Sequence, residues 1–250
     1  MSFKNKTLII TGAGQGIGFE IAKQLSNQGA NVVLNDVDSQ IGQEATDSLN
    51  NCRFLGGDAG DLNVIEELVK LAIDAFGSLD FVIPNAGITS FGPFLEYSKK
   101  QLDDLLHVNI QGTFFLAQQG AKQLIKQNTG GRIILISSIT SLKPHDELEA
   151  YGMTKAAITF LASALSKQMG PHGITVNCIT PGATATERTM DNQHYEKGWS
   201  KIIPTRKVAQ TSDIAAAVLF LLSDGASHIN GQNIVIDGGW NHVGPMPDNI

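Results

Sequence analysis

Tyr151 and Lys155 lie four residues apart in a stretch, Ala150 to Gln168, that reads as a helix, so their side chains share a face. A phenol beside an ammonium is an acid–base pair. A general base works best with a pKa near the operating pH. A free phenol titrates near ~10, so reaching about 7 takes roughly 4 kcal/mol of preference for the phenolate. One cation about 4 Å away supplies roughly that much at an effective dielectric of about 20. Ser138, upstream of this pair, ends an apolar strand run and offers a hydroxyl that can stabilise charge developing on a substrate oxygen. Near the amino terminus, Thr11-Gly12-Ala13-Gly14-Gln15-Gly16-Ile17-Gly18 supplies different chemistry. It follows the run Leu8-Ile9-Ile10 and precedes Ile21 and Leu25, one helical turn apart, which makes it a strand-to-helix turn. The free N–H groups of a helix start favour an anion, and glycine lets a phosphate approach without meeting a Cβ.

The turn does not match the strict G-x-G-x-x-G pattern, because Ile17 stands where the third glycine would be. Its glycines instead follow G-x-x-x-G-x-G through Gly12, Gly16 and Gly18. The next strand, Val32 to Asp36, ends in a carboxylate close to where an NAD fold places the acid that holds the ribose hydroxyls. A 2′-phosphate would be repelled by Asp36, and neither Gln15 nor Val37 offers a cation to neutralise it, so NAD is expected over NADP.

The elements that must position these groups alternate. Strand runs end at Asp58-Ala59, Asn85-Ala86-Gly87, Ser137-Ser138 and Pro181-Gly182, with helical patterns between them. This predicts an α/β fold: a doubly wound parallel sheet of seven strands with helices on both faces, in a single Rossmann domain over residues 1–250. The carboxyl ends of such strands border the ligand crevice. Asp61 is placed to cap the helix that starts at Leu62. A long helix is expected over Gln101 to Lys126, with Asn109 in its interior, where an asparagine is costly unless its side chain is engaged. A Thr/Ser cap is expected to open the helix Thr211 to Leu222. The segment of about 183–206 lacks strand alternation and is expected to be a substrate-binding loop.

Taken together, Thr11-Gly12-x-x-x-Gly16-Ile17-Gly18, Asn85-Ala86-Gly87, Asn109, Ser138, Tyr151-x-x-x-Lys155 and Pro181-Gly182 resemble the short-chain dehydrogenase/reductase family along nearly the whole chain. Within it, the chain is similar to sugar and polyol dehydrogenases and to 3-oxoacyl-carrier-protein reductases. The resemblance implies hydride transfer between nicotinamide and a secondary alcohol or ketone, with Tyr151 as acid/base. Lys155 would also bind the nicotinamide ribose, and Asn109 would hold a water linking Lys155 to solvent. It implies cofactor contacts from Gly12 to Gly18, including Gln15 and Ile17, and from Asp36. Asp58-Ala59 would contact adenine. Asn85, Ala86 and Gly87 would pack beside the cofactor, and Pro181, Gly182, Thr184 and Thr186 would lie near the carboxamide. Thr184 replaces an apolar residue common in the family, and Thr154 replaces the commoner serine before Lys155. The resemblance also implies a homotetramer, with the helices that begin near Gln101 and Ala150 packing between subunits.

Composition excludes other classes. At 250 residues, 42% hydrophobic and 17% charged, with a net charge of −6, the chain has the profile of a soluble globular protein and a poor one for nucleic acid. No apolar run suits a membrane span, and the region a signal peptide would use is taken by a strand. Cys52 and Cys178 lack metal-ligand spacing and read as core thiols of a reducing compartment, so a cytoplasmic protein with no metal is expected. The segment between Ser138 and Tyr151, with His145, Asp146, Glu147 and Glu149, is polar. By the resemblance this region walls the substrate pocket, and its polarity suits a sugar, polyol or similar alcohol, with Ser138, His145 and Tyr151 expected to touch substrate. His194, Tyr195 and Trp199 are further candidates, and Arg188 could pair with an anionic substrate or with a surface acid. The alternatives are a 3-oxoacyl-carrier-protein reductase and a catalytically silent NAD-binding sensor or scaffold.

Overall fold

The computed structural model describes residues 2–190 and 194–243. In chain order the elements are β1 (Thr7–Thr11), α1 (Gly16–Asn27), β2 (Asn31–Asp36), α2 (Ser39–Asp47), β3 (Cys52–Gly56), α3 (Leu62–Phe76), β4 (Phe81–Ile83), α4 (Lys99–Leu105) and α5 (Thr113–Gln127). There follow β5 (Gly131–Ile136), α6 (Glu149–Met169), β6 (Ile174–Pro181), β7 (Thr184–Ala185), α7 (Glu187–Met190), α8 (Tyr195–Ile202), β8 (Ala209–Gln210), α9 (Thr211–Leu222) and β9 (Asn233–Ile236). Seven of the strands form one sheet in the order β3-β2-β1-β4-β5-β6-β9, and every pairing in it is parallel.

Successive strand residues point to opposite faces, and both faces are apolar. Leu8, Ile10, Val32, Leu34, Ile134 and Ile136 pack on one side with Ile21 and Leu25 of α1 and Ile214 and Val218 of α9. Ile9, Val33, Val82, Ile133 and Leu135 pack on the other with Leu68 of α3, Leu116 and Leu124 of α5 and Ile158 of α6. The chain leaves β1 for β2 and β3 on one side, then returns to place β4 against β1 on the other. Strand order therefore reverses at β1 and opens a crevice at the carboxyl ends of β1 and β4.

Three expectations need correction. The long helix is not uniform: between α4 and α5, Leu106–Gly112 is a π-helical stretch with Asn109 inside it. The segment of about 183–206, expected as a loop, carries α7 and α8 among its described residues, and its β7 pairs with β8 in a separate two-stranded ladder. The cap of α9 is Gln210 rather than a Thr or Ser; its backbone N–H donates to Asp213 Oδ2 at 2.8 Å. Asp61 does cap α3, accepting from Asn63 N at 2.8 Å. Both cysteines are buried and free. Burial pushes the Cys52 thiol up to about 11 and raises that of Cys178. Among the described residues, no helix is long and apolar enough to cross a membrane, and no cluster of His, Cys, Asp and Glu could hold a metal ion.

Helix α5 lies close on β4 because Gly120 has no side chain: a Cβ there would stand 2.6 Å from Val82 Cγ2. Alanine is worth about 1 kcal/mol over glycine in a helix. Overpacking a fully buried contact costs about 1–3 kcal/mol. Gly120→Ala is therefore expected to lower stability by about 1 kcal/mol net, measured as the midpoint of urea denaturation; a stabilised variant would refute the tight contact.

Candidate active site

The crevice is a cleft of about 720 Å³, within the range of about 300–1,000 Å³ usual for small-molecule and cofactor sites. Its floor is the glycine turn. Gly12 has φ +59°, and a Cβ there would lie 2.7 Å from Ala86 Cα. A Cβ on Gly18 would lie 2.5 Å from Asn85 Nδ2. Both glycines are thus required by the close approach of the Asn85-Ala86-Gly87 turn. That turn is bolted down: Asn85 Nδ2 donates to Thr11 O at 3.0 Å and Gly12 O at 2.8 Å, while Thr11 Oγ1 accepts from the N–H groups of Asn85 and Ala86. Helix α1 opens into the cleft with Gln15 as its N-cap, no side-chain cap and no acid in its first turn. Its first N–H groups are left for an anion.

At one end of the cleft, Asp36 is held by Gly14 N at 2.9 Å and Asp38 N at 3.1 Å. Asp58 and Ala59 line the same cleft. Asp58 Oδ2 meets His107 Nε2 at 3.0 Å, a contact with no local signal in the sequence. Burial opposes charge on His107, but its bonds to Asp58 and Gln111 prevail and hold its pKa above the ordinary histidine value.

At the other end, Tyr151, Lys155 and Ser138 line the cleft together. Lys155 is 4% exposed; its ammonium donates to Ile136 O at 3.1 Å and stands 5.7 Å from the Tyr151 ring centroid. No carboxylate pairs with it among the described residues. Ser137, just past β5, also grips the Lys155 backbone: its Oγ donates to Lys155 O at 2.8 Å and accepts from Thr159 Oγ1 at 2.9 Å. Ser138 Oγ accepts from Thr140 N at 3.3 Å, which leaves its own proton for a ligand. Asn109 is fully buried and does not line the cleft. Its Oδ1 accepts from Ile88 N at 2.8 Å, and its Nδ2 donates to Ile88 O at 3.0 Å and Thr154 Oγ1 at 3.1 Å. Thr154 in turn donates to Tyr151 O at 2.7 Å. The π-helical turn thus carries an amide that ties the loop after β4 to the turn of α6 that bears Tyr151 and Lys155. π-Bulges recur at functional sites for this kind of reason.

Pro181, Gly182, Thr184 and Thr186 form the third wall, with Glu187, Arg188, Thr189 and Tyr195 beyond them. Burial raises the pKa of Tyr195, and a hydrogen bond to the Thr184 backbone opposes the shift. His145 is not brought into this cleft. It is exposed and lies 6.0 Å from the Trp199 ring and 6.3 Å from the Trp240 ring. Asp146, Glu147 and Glu149 face solvent as well. The two tryptophans meet edge to face at 4.9 Å, and Lys143 sits over Trp240 at 4.5 Å. This cluster joins α8, the segment after β5 and the end of the described chain.

A family model described as enoyl-(acyl carrier protein) reductase matches residues 12–241. L-rhamnose 1-dehydrogenase (NAD(P)(+)) of Azotobacter vinelandii is 34% identical over 247 residues, covering 94% of this chain and 96% of its own. A 3-oxoacyl-[acyl-carrier-protein] reductase of Chlamydia trachomatis is 34% identical over 241 residues, covering 94% and 97%. The crystal structure of a 3-ketoacyl-(acyl-carrier-protein) reductase from Brucella melitensis complexed with NADH superposes with a TM-score of 0.90 at 25% identity, covering 96% of this chain and all of the other.

Removing the Asn109 side chain would strand the part-buried N–H and C=O of Ile88 and take a partner from the buried Thr154 hydroxyl. Each unpaired group costs about 1–3 kcal/mol. Asn109→Ala is expected to lose about 2–4 kcal/mol of stability, seen as a lower urea midpoint. A variant as stable as the wild type would show that these bonds are not what holds the loop.

Proposed function

This chain belongs to the short-chain dehydrogenase/reductase family, and from that premise we propose that it is an NAD-dependent oxidoreductase acting on a small polar secondary alcohol or the matching ketone. The observation that carries the proposal is the buried ammonium of Lys155, held by one backbone carbonyl beside the ring of Tyr151 at the end of a glycine cradle. An unpaired buried cation is costly, and such groups cluster where chemistry needs them.

The cleft fits a dinucleotide. At Gly16 a Cβ would meet nothing nearer than 3.7 Å, the start of α1 offers free N–H groups, and Asp36 presents a carboxylate to a ribose diol. Gly12, Gln15, Gly16, Ile17 and Gly18 would hold the pyrophosphate side. Asp58 and Ala59 would flank adenine. Asn85, Ala86, Gly87, Pro181, Gly182, Thr184 and Thr186 would flank the nicotinamide half, with Lys155 on its ribose. Bound nicotinamide supplies the two-electron acceptor or donor. In oxidation, Tyr151 takes the hydroxyl proton as hydride leaves the carbon; in reduction it returns that proton to the carbonyl oxygen. Lys155 sets its positive charge 5.7 Å from the centre of the ring on which negative charge develops in the first step. Ser138 donates a hydrogen bond to the substrate oxygen and keeps its proton, stabilising the negative charge that develops there. Asn109 holds the π-helical turn and the loop after β4 in place, and a backbone-bound water there would carry protons onward from Lys155.

NAD is favoured over NADP because the only described partners of Asp36 are backbone N–H groups, with no Lys or Arg to offset a 2′-phosphate. The polar-substrate reading rests on Thr89, Ser138 and Tyr195 in the cleft and on the rhamnose dehydrogenase relative, not on His145. A 3-oxoacyl thioester is the second reading, favoured by the carrier-protein reductases among the relatives. A silent sensor is disfavoured by an intact Ser138, Tyr151 and Lys155. We also propose a cytoplasmic location, which the free, buried Cys52 and Cys178 suit, and a homotetramer, in which Phe114 on α5 and Phe160 on α6, 41% and 74% exposed, would be covered by neighbouring subunits.

A panel of aldoses, polyols and 3-oxoacyl thioesters with NAD(H) and NADP(H) tests the activity. Tyr151→Phe is expected to lower kcat by about 10²–10⁴ while NADH still binds. Unchanged turnover would remove Tyr151 from the chemistry. Asp36→Ala is expected to move the ratio of NADP to NAD affinity by about tenfold toward NADP, about 1.4 kcal/mol. An unmoved ratio would mean that Asp36 does not set the preference.

A further inference from the structure

Two adjacent charges on the segment after β6 remain unused by the proposed chemistry. Glu187 and Arg188 open α7, and both line the cleft. Glu187 Oε2 stands 3.7 Å from where a Gly16 Cβ would be, over the start of α1. Its carboxylate accepts no hydrogen bond among the described residues. It is thus an internal anion placed against the part of the cleft that α1 and the glycine turn make attractive to anions. Arg188 is exposed, and among the described residues its guanidinium has neither an ion pair nor a hydrogen bond. Lys155 and Arg188 are the cations that line this cleft, and Lys155 is buried at its far end, committed to Ile136 O. A pyrophosphate carries two negative charges, and an arginine fork matches phosphate oxygens in geometry as well as charge.

From this juxtaposition we propose that Arg188 is a cofactor-binding residue that engages the pyrophosphate, and that Glu187 is its built-in competitor, so that the two side chains exchange over Gly16 when the dinucleotide binds. The proposal rests on the dinucleotide reading of the cleft. It assigns opposite effects to neighbouring residues of opposite charge. Removing Glu187 relieves repulsion of the ligand, and removing Arg188 withdraws an attraction.

The test is NADH affinity by calorimetry and by quenching of protein emission, at low and high salt, on the full chain. Glu187→Gln is expected to tighten NADH binding by about threefold, the scale of an exposed charge interaction. Arg188→Gln is expected to weaken it by about tenfold, the scale of a lost charge-assisted bond, and to flatten its salt dependence. Arg188→Lys should recover part of the loss. Melting temperatures near that of the wild type are expected, since both side chains are exposed. Wild-type binding with both variants unmoved, or both shifted the same way, would overturn this inference alone. A wild-type protein that binds neither NADH nor NADPH would overturn it together with the dinucleotide reading.

Discussion

One hydrogen bond organises the end of the cleft that holds Tyr151 and Ser138: the ammonium of Lys155 on the carbonyl of Ile136. An ammonium that loses its water needs partners, and here the strand end supplies a single one. The bond fixes α6 against the last residue of β5. Ser137 repeats the connection through the Lys155 backbone, and Thr159 bonds both Ser137 Oγ and that same carbonyl. Tyr151 and Ser138 are placed by the same junction, since one lies a helical turn before Lys155 and the other two residues beyond Ile136. The lysine therefore ties the helix to the strand end with the same ammonium that stands beside the Tyr151 ring.

The glycine turn depends on a comparable lock. Asn85 and Thr11 join the ends of β4 and β1 by four hydrogen bonds, and the missing side chains at Gly12 and Gly18 let the two turns touch. Asn109 then ties the continuation of the β4 loop to α6 through Ile88 and Thr154. Sheet edge, π-helical turn and α6 thus form one connected frame around the cleft. A displacement in any of these would be felt at the hydroxyl of Tyr151.

Much of this was legible in the residue pattern because the signals are local. A four-residue spacing puts Tyr151 and Lys155 on one face, and an apolar run before Gly12 followed by Ile21 and Leu25 marks a strand-to-helix turn. Other features carry no such signal. The wider turn around Asn109 adds to the helix without disturbing its apolar repeat. His107 and Asp58 meet across 49 residues of sequence. Helices α7 and α8, of four and eight residues, are too short to show a periodicity. His145 was drawn to the cleft by the polarity of its neighbours, whereas its ring has apolar partners in Trp199 and Trp240. Gln210 caps α9 without being one of the usual capping residue types, while the hydroxyl residues after it fit that rule.

The chain has two tryptophans, and both lie in one edge-to-face pair, with Lys143 and His145 against them. Trp199 rides on α8, and Trp240 belongs to the last described turn. Ultraviolet emission from indole in this protein therefore originates at a single locus, where the segment bordering the cleft meets the carboxyl-terminal end of the sheet. A native chromophore pair reports on that joint without any label.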